Sequence, residues 1–309
     1  MTRRGWVLFV ALGVIWGIPY LLIRVTVREM SPALLVLVRT GGGALLLAPF
    51  VARRRMLAPV LRRWRPLLVY SFVETGVPWL LLFQAERRLS SSLAGLLVAA
   101  VPIVGAVLAQ LTGTDRLDRR RVAGLVLGMC GVAALVGLDV GRSSALSALS
   151  LAAVAVGYAL GPWIVGRYLS DLPALSVVAC SLAICAAVYA PVAVFELPSR
   201  PLSGSVIWSL VCLTVLCTAI AFVCFYALIA EIGALRSTVI TYVNPAVAVV
   251  LGVAVLGEPF GLGTAVGFVL ILSGSFLATR PLRAASPSAA QHEPGAARVE
   301  HELPAVGEP

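Results

Sequence analysis

The chain has 309 residues, of which 60% are hydrophobic and 12% charged. Soluble domains carry about 25% charged residues, so this balance excludes a water-soluble globular fold. The net charge of +10 sits in short arginine clusters between apolar stretches and not along one amphipathic face, which excludes a nucleic-acid-binding surface and makes the lipid bilayer the main partner.

Apolar stretches of about 20 residues can each cross roughly 30 Å of hydrocarbon as a helix. They are predicted, in chain order, over 6–26, 33–51, 67–83, 93–112, 122–139, 145–166, 173–195, 204–227, 234–256 and 262–279. The first imitates a secretion signal, with Arg3 and Arg4 ahead of an apolar run. The run continues through Trp16, Gly17 and Pro19 to Val25 without a small-residue cleavage site, so it reads as a retained helix. Turns are marked by Ser31-Pro32, the arginine-rich 52–66, 113–121, Leu172-Pro173 and 197–203. The breaks after the eighth and ninth stretches are the weakest, resting on Glu231 and Arg236 and then on Glu258 and Pro259. From Pro281 the composition turns to Ala, Pro, Ser and Glu, so 281–309 is expected to be a disordered tail, and both histidines, His292 and His301, fall in it.

With the N-terminus inside, the segments on the cytoplasmic side hold seventeen arginines against six on the other, and Arg39 lies within a span. The bias places both termini of a multi-pass protein in the cytoplasm, in the cell (inner) membrane. The six cysteines lie in apolar stretches, where a thiol behaves as a small hydrophobe. No metal spacing, nucleotide-binding loop or cofactor motif appears, so no cofactor and no metal are expected.

A shift of 143 residues lays Pro19 on Pro162, Arg24 on Arg167, Thr75 on Thr218, Pro102 on Pro245, Gly124 on Gly267 and Gly131 on Gly274, with Asp115 on Glu258. These matches run through five successive stretches in one register. The expected fold is therefore an all-α membrane protein of ten helices, in two five-helix repeats at 1–142 and 143–280. Five is odd, so the second copy enters the membrane from the opposite side, the inverted arrangement that many secondary transporters place around a central site.

Candidates for that site are residues whose polarity is costly at membrane depth. Glu74 is the carboxylate nearest the middle of any span, and it suits proton coupling or attraction of a cationic group. Its alternative is a buried ion pair with Arg39, which lies at a similar depth. Trp16, Trp79, Tyr158, Trp163, Tyr226 and Tyr242 are candidates for a stacking pocket, or for plain helix packing. Asn244 adjoins a helix-breaking proline, so its amide can bind either a substrate or freed backbone. Pro19, Pro102, Pro162 and Pro245 remove backbone hydrogen bonds and mark helix breaks beside a cavity. The pairs Gly13/Gly17, Gly124/Gly128, Gly157/Gly161 and Gly263/Gly267 read as close helix packing.

Trp16-Gly17 with Arg24, then Pro102, then Tyr242-Val243-Asn244-Pro245 through Leu251-Gly252 to Leu256-Gly257-Glu258-Pro259, followed by Gly267 and Gly274, resembles the EamA family of the drug/metabolite transporter superfamily. The likeness spans about residues 6–279, and the first copy departs from it with Asp115-Arg116 in place of the Gly-Glu-Pro ending. The resemblance implies ten helices, a central cavity, and export or exchange of amino acids, related metabolites or toxic compounds. It marks Glu258 as a residue of the fold, at a helix end or loop. An intramembrane enzyme and a passive channel or scaffold are the competing classes. The first lacks HExxH, GxSxG, a membrane histidine and a carboxylate pair, and the second lacks rings of like groups. A small-molecule substrate, protons as coupling ion and a functional monomer are the remaining expectations.

Overall fold

The computed structural model describes residues 2–52, 57–113, 118–139, 145–232, 240 and 243–279, and all regular structure among them is helical. Tyr242, Asp115, Arg236 and the tail with its histidines lie outside the described residues. The long helices are α1 (Arg3–Thr26), α2 (Pro32–Ala52), α3 (Trp64–Glu86), α4 (Ser91–Leu111), α5 (Arg119–Asp139), α6 (Leu146–Leu169), α7 (Ala174–Glu196), α8 (Gly204–Ile232), α9 (Asn244–Leu256) and α10 (Leu262–Thr279). A short helix, Leu57–Arg62, precedes α3. Seven of these, α1 to α4 and α6 to α8, are long and apolar enough to cross a membrane, and α9 is apolar but shorter. Large apolar side chains such as Leu45, Leu111, Phe195 and Trp208 stand exposed on the outside, a surface suited to lipid.

Helix starts follow local chemistry. Thr2, Ser31, Ser90 and Asp118 turn side-chain oxygens onto the backbone N–H groups of Gly5, Leu34, Leu93 and Arg121 at 2.8–3.2 Å, filling donors that a helix N-terminus leaves open. The interruptions also have causes. α1 breaks at Trp16-Gly17, just before Pro19, so the expected single stretch 6–26 is two helical pieces. α4 breaks at Ala99-Ala100, just before Pro102, and α6 passes from Pro162 into a π-helical turn at Val165–Leu169. α3 and α8 run beyond the expected ends at residues 83 and 227, to Glu86 and Ile232.

Packing repeats between the halves. α2 lies along α7, α4 along α9 and α5 along α10, while α3 meets α6 as α8 meets α1, and α4 meets α6 as α9 meets α1. When the halves are exchanged, the first three pairings map onto themselves and the last four onto one another in twos. The 143-residue register also places the π-helical segment Ser71–Gly76 of α3 inside the π-helical segment Cys212–Ile220 of α8. Such segments in α-helices often mark functional positions.

We call the end of the bundle with the N-terminus the near end. There Arg63 donates to both carboxylate oxygens of Asp171 (2.8 and 2.7 Å) and to the Tyr168 carbonyl, 2.7 Å, tying the start of α3 to the α6–α7 turn. At the far end Glu258 accepts four bonds: Ser91 N (2.7 Å), Ser91 Oγ (3.1 Å), Ser92 N (3.0 Å) and Ser92 Oγ (2.6 Å). A carboxylate at a helix N-terminus meets open donors and the positive end of the dipole. Two glycines make room for it. Gly257 adopts φ 64°, and a Cβ on Gly252 would fall 2.3 Å from both Glu258 Oε2 and Ser92 Oγ. The helix-end role implied for Glu258 is therefore what the geometry shows. Glu258→Ala is expected to cost roughly 3 kcal/mol, since the α4 donors lose a charged partner, and a fall in melting temperature in detergent checks it.

Also at the far end, Glu29 accepts from the Ser203 hydroxyl (2.7 Å) and backbone N–H (2.8 Å). The hydroxyl first, and the N–H second, hold the Glu29 carboxyl below its ordinary range. The folded value lies under the unfolded one, so this support is present above about pH 4 and lost as pH falls through the folded value. The melting-temperature gap between the protein and Glu29→Gln should therefore close on acidification below about pH 4.

Candidate functional site

The two π-helical segments supply the site. Glu74 sits on the first, and its Oε2 is enclosed without a hydrogen-bond partner. α6 is cut away to receive it. A Cβ on Gly161 would lie 1.7 Å from Glu74 Oε2, and a Cβ on Gly157 would lie 2.5 Å from the Val73 carbonyl oxygen. The expected close packing at Gly157/Gly161 is thus the fitting of α6 around Glu74. Tyr70, Tyr158 and Tyr226 lie within electrostatic reach of this carboxyl. Glu74, Tyr158 and Tyr226 lie deep in the bundle, yet each keeps some accessible surface. Tyr226 also lines a cleft of about 240 Å³ with Phe50, Val51, Pro173 and Leu175 at the near end.

The second π-helical segment holds Arg39. Arg39 is 6% exposed, its Nε donates to Thr218 Oγ1 at 3.0 Å, and its guanidinium carbon stands 3.9 Å from the centre of the Trp79 ring. Thr218 donates in turn to the Leu213 carbonyl at 2.9 Å. The expected alternative, an Arg39–Glu74 ion pair, does not form. Equal depth along two helices does not fix rotation about their axes, and Arg39 is turned to the face of α2 that meets α8 while Glu74 meets α6. Tyr158 is the shared neighbour, within electrostatic reach of Glu74, Arg39 and Glu86.

The other candidates separate. Trp16 packs against Phe225 (ring centres 4.8 Å) and Phe222 (6.0 Å) between α1 and α8. Trp163 packs on Tyr168. Asn244 serves the backbone: with its amide nitrogen turned to the α1 break, it donates to the Gly13 and Ile240 carbonyls, each at 3.1 Å. The Gly13 carbonyl is open because Gly17 N bonds Val14 at the break. At the α4 break, Ile103 N turns to Ala100, and Ser275 of α10 donates to the freed Ala99 carbonyl at 3.0 Å. Side chains of the second half thus repair both breaks that precede Pro19 and Pro102.

The residue that sequence reasoning missed is Glu86, the last of α3. It has no accessible surface, and neither carboxylate oxygen has a partner. Its neighbours Arg87 and Arg88 make it read as a turn. The available signal was helical spacing: Glu86 follows the buried Leu82 and Phe83 by four and three residues, on one face.

Comparison with known proteins places this architecture. The profile of the EamA-like transporter family matches residues 3–137 and 145–280. The chain belongs to that family. The two matched stretches are the two copies of the repeat, and family membership makes the protein a multi-pass membrane transporter. It is 26% identical over 293 residues to a probable amino-acid metabolite efflux pump of Salmonella typhimurium, covering 90% of this chain and 95% of that one. It is 28% identical over 223 residues to the uncharacterized transporter YetK of Bacillus subtilis, covering 68% of this chain and 66% of that one. A crystal structure with 22% identity matches with a TM-score of 0.66, over 90% of this chain and 98% of the other, which shows the shared fold.

Proposed function

We propose that this EamA-family protein is a ten-helix secondary carrier of two inverted repeats, 1–142 and 143–280. It works as a monomer in the cytoplasmic membrane, with both termini in the cytoplasm, and exports small metabolites of the amino-acid class by alternating access. The observation that carries this reading is Glu74: an unpartnered carboxylate oxygen on a π-helical segment, within electrostatic reach of Tyr70, Tyr158 and Tyr226, the last of which lines the near-end cleft. A buried acid of this kind binds a proton or an ammonium group, and the tyrosines offer aromatic faces to the rest of a small substrate. The near end, where Arg62, Arg63 and Arg65 lie, is the cytoplasmic side, so the cleft opens inward and the far-end contacts of Glu29 and Glu258 close the outer side. The substrate class leans on the name of the Salmonella relative.

Counterflow in proteoliposomes tests the proposal, with labelled amino acids and a cationic dye. A carrier shows saturable exchange of internal for external substrate, whereas a channel shows flux without counterflow and an enzyme shows product without net movement.

A further inference from the structure

Glu86 is left unused by the site around Glu74, and its surroundings are unusual. Both oxygens are enclosed and unpartnered, although several groups face it. From α1, Arg24 donates to the Glu86 backbone carbonyl and not to its carboxylate, and Tyr20 is a buried neighbour. From α2, Arg39 has its Nε on Thr218 and its face on Trp79. Tyr158 faces it from α6, and the α9–α10 turn brings a second carboxylate, Glu258, whose oxygens are engaged by Ser91 and Ser92. An ionised carboxylate sealed from water without a hydrogen bond is strongly disfavoured against its neutral acid.

We propose that Glu86 is a proton-binding site of this protein, protonated in the conformation described and exchanging its proton when the far ends of α1 and α3 part. Parting frees Arg24 from the Glu86 carbonyl, and the guanidinium then neutralises the carboxylate left behind. The proton moves to water and no other bond changes. Glu74 and Glu86 are twelve residues apart on one helix, roughly 18 Å at 1.5 Å per residue. α3 therefore carries one acid near its middle and another behind the far-end contacts. The proposal rests on the transporter reading only for the side of the membrane to which the proton goes.

Infrared spectroscopy of the purified full-length protein in lipid tests it without any transport step. The Glu74→Gln protein, in which Glu74 contributes nothing, should show at neutral pH the carbonyl stretch of a protonated carboxylic acid, shifted after exchange into D2O. Adding Glu86→Gln should abolish that absorption while keeping the melting temperature, since glutamine resembles the neutral acid. Adding Glu86→Asp should move the absorption without removing it, and this variant carries the test if the glutamine protein does not fold. An acid absorption identical with and without Glu86, or loss of a carboxylate stretch in its place, overturns the proposal. A transport failure of Glu74→Gln bears on the carrier reading and leaves this spectrum unaffected.

Discussion

Gly274→Ala is expected to push α10 off α5 and to lower stability by about 3 kcal/mol, the upper end of what an extra methyl costs in a packed interior. A Cβ at 274 falls 2.3 Å from the Gly128 nitrogen, 2.5 Å from its Cα and 2.6 Å from the Gly124 carbonyl oxygen. All three are backbone atoms, so no rotamer change relieves the clash and a whole helix must shift. The opposite face repeats the contact, since a Cβ on Gly131 would lie 2.8 Å from the Ile271 nitrogen. The melting temperature in detergent should fall by several degrees. Gly105→Ala is the control: a Cβ there meets nothing within 4 Å, and stability should hold.

Gly161→Ala should have the reverse profile, with fold kept and function lost. The new Cβ would stand 1.7 Å from Glu74 Oε2 and 2.7 Å from its carboxyl carbon. These atoms end a flexible side chain, so the carboxyl swings aside at small cost to the bundle. It then leaves the place where Tyr70, Tyr158 and Tyr226 are within electrostatic reach of it. Transport should drop by at least roughly tenfold, about 1.4 kcal/mol in the limiting barrier, while the melting temperature changes little. Transport unchanged in Gly161→Ala would mean that the position of Glu74 is immaterial.

The architecture was legible because lipid demands it. Apolar runs and turn residues gave the helices to within a few residues, except at the start of α9, where 234–239 lie outside the described residues. Pro19 and Pro102 each follow a helix break, whereas Pro162 lies within α6 and Pro245 in the first turn of α9, and the 143-residue register brought the two π-helical segments into correspondence through Thr75 and Thr218. Asn244 was open between substrate and backbone, and the α1 break decided for backbone. Rotation about helix axes was not legible. Depth alone suggested Arg39 with Glu74, whereas the fold gives Arg39 to Thr218 and Trp79. Glu86 was hidden because two arginines follow it and charge pattern outweighed helical spacing. The tertiary contacts of Glu258 with Ser91 and Ser92 join residues 166 and 167 positions apart, a separation at which local pattern carries no information.

The most direct test of the central claim, that Glu74 couples transport, is efflux of labelled amino acids and a cationic dye from proteoliposomes under an imposed pH gradient. The protein and Glu74→Gln are compared at equal reconstitution. Gradient-driven movement that is present in the protein and lost in Glu74→Gln is the predicted result. Equal gradient-driven movement in both would contradict it and leave Glu74 a residue of the helix packing.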